Sequence, residues 1–163
     1  MGIANHFKVM ADYHLWAYAC LLRHLEPVDD DEYRRECGLY FKSIHGTLNH
    51  LLLGDLVWYG RFVGEPLTIS GLDQELCSSR DELAVLVTKQ AQCWIKYVEQ
   101  LSEDHYSEQL AYKNIKGNQI SLPVGQLLSH VFNHGTHHRG QISAVITQCG
   151  HSAPEMDLVY YLI

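Results

Sequence analysis

The sequence is short of several things, and each shortage excludes a class of protein. No stretch approaches the roughly 18 consecutive apolar residues that a membrane-spanning helix needs. There is no CxxC pair among the five cysteines (20, 37, 77, 93 and 149), so neither a thioredoxin-like motif nor a cysteine zinc knuckle is available. An odd, scattered set of thiols argues for a reduced, cytoplasmic protein without a disulfide framework. Positive charge is scarce as well: 12 lysines and arginines against 19 acidic residues leave a net charge of −7. Nucleic acid and anionic membrane surfaces both require a dense basic patch, so neither is an expected partner. The first residues, MGIANHFKVMADYH, are broken by charge and do not read as a signal peptide. Only four prolines and a charged fraction of 19% oppose a disordered or linker-rich chain.

What is present is enough for one domain over residues 1–163, with 47% hydrophobic residues to build a core. Four segments carry a helical period. In the first, Ile3, Phe7, Met10, His14, Ala17, Leu21 and Leu25 recur at steps of three and four. Pro27 ends it before an acidic loop from Val28 to Glu32. The second runs from about Phe41 to Phe62 and stops at Gly64 and Pro66. Ser79 caps the third, with Glu82 three residues on in a capping-box pattern, and that helix turns Leu83, Val87, Gln90, Trp94, Tyr97 and Leu101 to one side. Residues 110–122 read as a short β-hairpin around Lys116-Gly117. Pro123 opens the fourth helix and Gly150 ends it. The expected fold is all-α, a four-helix bundle with crossover connections after the second and third helices and a hairpin before the last. The apolar tail from Asp157 to Ile163 is expected to pack on the body or on a second subunit.

Histidine is the one residue in excess, at eleven. On the fourth helix the apolar stripe is Leu127, Val131, Ile142, Val145 and Cys149. At 100° per residue His134 and His138 fall within roughly 20° of Leu127, in the middle of that stripe and one turn apart. Two imidazoles in an apolar interior need partners for their ring nitrogens. Those partners are either hydrogen-bonding groups of the core or one metal ion shared at i and i+4. His130 and His137 lie on the flank of the stripe, although His130 could replace a ligand. A third ligand must come from another helix. His50, between Gly46 and Gly54 on the second helix, is the best placed, and the glycines leave room for an ion and a substrate or for close packing. His45 competes with it from a more mixed face. His14, on the core stripe of the first helix, is a core histidine in preference to a fourth ligand.

Three histidines with a vacant position describe a catalytic type of site, and imidazole ligation suits zinc, nickel, copper or iron. The zinc-protease helix HExxH is excluded, because Gly135 stands where its glutamate would be. Paired carboxylates, a nucleophile elbow and a phosphate loop are all missing. Cys149 beside His151 has the chemistry of a nucleophile but sits at a helix end, and is set aside.

The run from Ser43 to Trp58, SIHGTLNHLLLGDLVW, and the run from His130 to Gln141, HVFNHGTHHRGQ, resemble the DinB family, within the DinB/YfiT-like metalloenzymes. The resemblance implies a four-helix bundle holding a divalent metal, zinc or nickel, on His50, His134 and His138. It also implies a homodimer. Relatives of this kind include bacillithiol S-transferases and mycothiol-dependent maleylpyruvate isomerases. The implied chemistry is a metal that holds a low-molecular-weight thiol as thiolate for attack on a small electrophile, in a stress or detoxification setting. The alternatives are metal-assisted hydrolysis, with His130 or His137 shuttling protons, and a bundle that binds metal without catalysis. Arg139 and Gln141 belong to the second motif and read as helix surface or subunit contact. Asp55 could orient a histidine, but only one on another helix, and Trp58 reads as core.

Overall fold

The computed structural model describes residues 2–163. Four long helices carry it: α1 (Ile3–Leu25), α3 (Ile44–Val63), α4 (Arg80–Glu99) and α5 (Val124–Gln148). Their termini follow the local chemistry. The hydroxyl of Ser43 accepts from the Gly46 N–H to start α3, and that of Ser79 accepts from Glu82 N–H to start α4. Gly64 closes α3 at φ +80°, a left-handed conformation that favours glycine. Pro123 occupies the capping position directly before α5. The hairpin expected before the last helix is β1 (Gln109–Lys113) antiparallel to β2 (Gln119–Pro123), with Leu110 opposite Leu122.

Two short α-helices and a 3-10 turn over Glu103–Ser107 were not anticipated. The acidic stretch after Pro27 is not wholly loop, because Asp29 accepts a hydrogen bond from Glu32 N–H and starts α2 (Asp30–Arg34). Three acidic residues in its first turn suit the positive end of the helix dipole. The tail forms α6 (Leu158–Leu162) and returns to α1, where the Tyr13 hydroxyl donates to Met156 O and the Tyr161 ring meets Tyr13 and Trp16. No helix among the described residues is long and apolar enough to cross a membrane.

The long helices form a ring in which α1 adjoins α4 and α5, and α3 adjoins the same two. Helices α1 and α3 therefore face each other across a diagonal, as do α4 and α5. Pairings fix the directions. His50 meets His138, Gly54 meets His134 and Trp58 meets His130, so α3 and α5 are antiparallel. Leu48 and Ala84 share one hollow while Phe62 meets Tyr97, so α3 and α4 run parallel. Residues 64–79 must then return along the length of the bundle, and the hairpin carries the chain across the diagonal to α5. Both expected crossovers are present. The α1–α3 connection also spans a diagonal, which the sequence reading had not singled out.

Burial divides into two apolar clusters. One, around Tyr18, Leu21, Leu48, Leu83 and Ile146, fills one half of the bundle. The other, around Phe7, Trp94, Leu128 and Phe132, fills the second half. Between them lies a buried polar layer made by His14, Asp55 and Arg139. The candidate metal centre sits at this level, between α3 and α5.

Candidate metal centre

His50, His134 and His138 converge, each offering a ring nitrogen within 4.8 Å of the other two. Two come from consecutive turns of α5 and one from the antiparallel α3. The Nε2 atoms of His50 and His134 are 3.1 Å apart. Nitrogens each about 2.0–2.1 Å from one tetrahedral zinc ion stand about 3.3 Å apart, so this pair already has nearly the spacing of two ligands.

The other ring nitrogens decide which atoms face inward. His50 Nδ1–H donates to the Leu72 carbonyl at 2.9 Å, which can only accept. His138 Nδ1–H donates to Gln141 Oε1 at 2.7 Å. Both rings are thereby held as the tautomer with a bare Nε2, the usual way an outer partner fixes a metal-ligating histidine. Phe41 stacks on His50 with centroids 3.7 Å apart and prevents that ring from turning.

Burial and mutual repulsion keep the cluster neutral, the form in which imidazole ligates. Burial, reinforced by the neighbouring His138 and His50, pushes His134 down to about 3. Burial pushes His138 down to about 4 and also lowers His50. An imidazole held below its unfolded value contributes stability above that value and loses it as the pH falls towards the folded value. In chelator, the protein is therefore expected to lose stability progressively from about pH 6.5 down to about 3, where His134 finally charges. Urea midpoints measured across that range in the wild type and in His134→Ala check this, the variant showing the shallower decline.

The glycines flanking His50 mark close packing and not a void. A Cβ at Gly54 would stand 3.0 Å from His134 Cε1, and one at Gly46 would collide with the Phe41 carbonyl. Gly135 has a similar reason. Its missing side chain is the space into which His14 and Arg139 pack, with a Cβ placed 2.6 Å from His14 Cε1 and 2.8 Å from Arg139 Nη1. Neither neighbour can give way without breaking a buried bond. Gly135→Ala is expected to cost about 1–3 kcal/mol as an overpacking defect, despite the helix propensity alanine brings, and thermal unfolding measures it.

His14 is fully buried, outside the cluster, and bonded on both sides: Nε2–H donates to Asp55 Oδ2 at 3.1 Å, and Nδ1 accepts from Arg139 at 3.0 Å. It is the core histidine its stripe position suggested. Asp55 serves another helix, as its spacing required, but its partners are His14 and Tyr18 on α1 and not one of the three clustered histidines. His45 points elsewhere, towards Asn49 and Glu75. His130 and His137 remain exposed on the flank, their rings 5.8 Å from His134 and 4.8 Å from His138. Trp58 is half-buried at the edge of the second cluster, against Tyr112 and His130. His151 pairs with Glu32 at 3.0 Å instead of with Cys149.

Two expectations are overturned. Arg139 is not helix surface but 1% exposed, held by His14 and Thr136 and flanked by the rings of Tyr13 and Tyr18. Gln141 orients His138. The latter was open to discovery, since three residues along a helix brings two side chains together. The Leu72 carbonyl and Phe41 carried no such signal, because backbone acceptors and loop contacts leave no mark on periodicity.

Comparison with known proteins bears on the fold and the family. The DinB family model matches residues 2–163. The protein DinB of Bacillus subtilis (strain 168) is 29% identical over 157 residues, covering 93% of this chain and 90% of the relative. A crystal structure of a DinB-like protein from Bacillus subtilis superposes with a TM-score of 0.61 at 17% identity, over 89% of this chain and 94% of that one. One from Bacillus cereus ATCC 10987 gives 0.59 at 16% identity, over 85% and 89%. At these identities the two structures establish the shared fold. With the family model spanning the described bundle from end to end, the chain belongs to the DinB family.

Proposed function

We propose that the protein is a metal-dependent enzyme in which the Nε2 atoms of His50, His134 and His138 hold one divalent cation, zinc or nickel. The observation that carries this reading is the donor set itself: three neutral imidazoles converge, two of them with Nδ1 committed to an outer acceptor. Bound there, such a cation would lower the pKa of a coordinated thiol or water and supply a nucleophile near neutral pH.

The protein's own residues do the remaining work. Leu72 O and Gln141 keep the protons of His50 and His138 at Nδ1. Phe41 shields the His50 ring from water. No carboxylate stands among the three histidines to act as a strong base: Asp55, the buried acid nearest in the fold, is engaged by His14 and Tyr18. This favours a thiol, which needs little help to ionise, over water. The preferred reaction is therefore S-transfer or isomerisation of a small electrophile by a low-molecular-weight thiol, in stress or detoxification. Hydrolysis would have to draw on His130 or His137 for proton movement. Five free cysteines suit a reduced cytoplasmic setting. The exposed apolar side chains of α6, Val159 and Leu162, suit a homodimer.

Elemental analysis of untagged wild type beside His50→Ala tests the reading. Near-stoichiometric zinc or nickel in the wild type, lost from the variant, supports it and directs the next assays to thiol transfer. Metal-free protein that takes up no added metal rejects it.

A further inference from the structure

A hollow of about 840 Å³ adjoins the candidate metal centre without being part of it. Two of its walls are the groups that fix His50: Phe41, stacked on the ring, and Leu72, whose carbonyl takes Nδ1–H. Its size falls in the range of small-molecule sites, and its remaining lining is charged on both signs.

Three charges of that lining are unspent. Arg34 is paired with Asp30, whereas Lys42 has no carboxylate within 4 Å among the described residues, and Glu36 and Asp73 have no cation. Lys42 is also the one described non-glycine residue with positive φ, at 71°, pinned by Lys42 N–H to Leu39 O and by Cys37 N–H to Lys42 O. Backbone held in so sparsely populated a conformation is characteristic of ligand clamps.

We propose that this hollow is a binding site for a small zwitterion of the α-amino-acid type. Lys42 takes its carboxylate, Glu36 and Asp73 take its ammonium group, and Phe41 is the wall shared with the three histidines. As the polar-end subsite of a thiol substrate it rests on the function proposed above; as a binding site it requires no metal.

The experiment separates the two. In chelator, backbone amide shifts of Lys42, Ser43 and Gly46 are followed by NMR during titration with S-methylcysteine, a thiol-blocked zwitterion. Its deaminated analogue, 3-(methylthio)propionate, and its decarboxylated analogue, 2-(methylthio)ethylamine, are titrated in parallel. Saturable shifts from the zwitterion, with each analogue at least about tenfold weaker, support the proposal, since each loses one charge-assisted contact. K42Q should remove the advantage over the amine and K42R retain it, while E36Q/D73N should remove the advantage over the acid. Equal affinity for all three ligands, no shift at these amides, or an unchanged ranking in folded K42Q overturns it. Failure of the metal centre would show instead as absent metal in elemental analysis and would leave this ranking untouched.

Discussion

Asp55→Ala is expected to destabilise the protein by about 3–5 kcal/mol, the cost of removing one partner from a buried charged network. The reasoning starts from the proton positions. Arg139 is always cationic and can only donate, so the His14 Nδ1 it contacts at 3.0 Å must be bare. His14 therefore carries its hydrogen on Nε2 and is neutral, as burial also demands. Asp55 then receives two donors, from His14 and from Tyr18 at 3.3 Å, and its charge is the buried counterpart of Arg139. Removing it leaves two donors unpaired and a cation sealed between the two apolar clusters. Urea unfolding measures the effect, and at about 2–4 °C per kcal/mol the melting point should fall by roughly 10 °C. Asp55→Asn, which keeps an acceptor and the shape, should cost less. Asp55→Ala combined with Arg139→Met should cost less than the sum of the two single changes by about 1–3 kcal/mol. A loss below about 1 kcal/mol for Asp55→Ala, outside the 3–5 kcal/mol of a broken buried pair, would show that the layer is not a coupled unit.

Zinc should stabilise the chelated protein by a comparable amount. A ligand that binds only the folded state at about 1,000 times its dissociation constant contributes about 4 kcal/mol, again roughly 10 °C in the melting point of a chain this long. His50, His134 and His138 lie within 4.8 Å of one another and burial lowers the pKa of all three, so binding need not first strip protons from them at pH 7. The shift should vanish in His138→Ala. In Gln141→Leu it should persist at 10- to 100-fold higher zinc, as expected on losing the partner that holds a ligand's tautomer. Thermal scans across a zinc titration check both. A full shift in His138→Ala would place the cation elsewhere.

Local sequence accounts for whatever depends on neighbours three and four residues apart. The four long helices, their Ser79, Gly64 and Gly150 boundaries and the hairpin all follow from local periodicity and backbone preference, whereas the second helix was expected from about Phe41 and begins at Ile44, after the Ser43 cap. The shared face of His134 and His138 is of the same kind, because one helix fixes the angle between two of its own residues. Choosing His50 over His45 was a matter of face composition and family resemblance. The structure accounts for the difference: an odd offset of five residues turns His45 towards Asn49 and Glu75 while His50 looks across at α5.

The packing of one helix against another sets the rest. Arg139 stands well off the apolar stripe of α5, which by periodicity alone means solvent. It is buried because α1 packs on that flank and brings His14 and two tyrosine rings to it. Asp55 is buried for the same reason, and Gly135 is small because those two side chains fill its place. The Leu72 carbonyl reaches His50 only because residues 64–79 run back along the bundle to join two parallel helices. A helical period records which side of a helix is apolar. It holds no information about which partner covers the other sides, and in this protein those partners fix the tautomers, the charge balance and the hollow beside the three histidines.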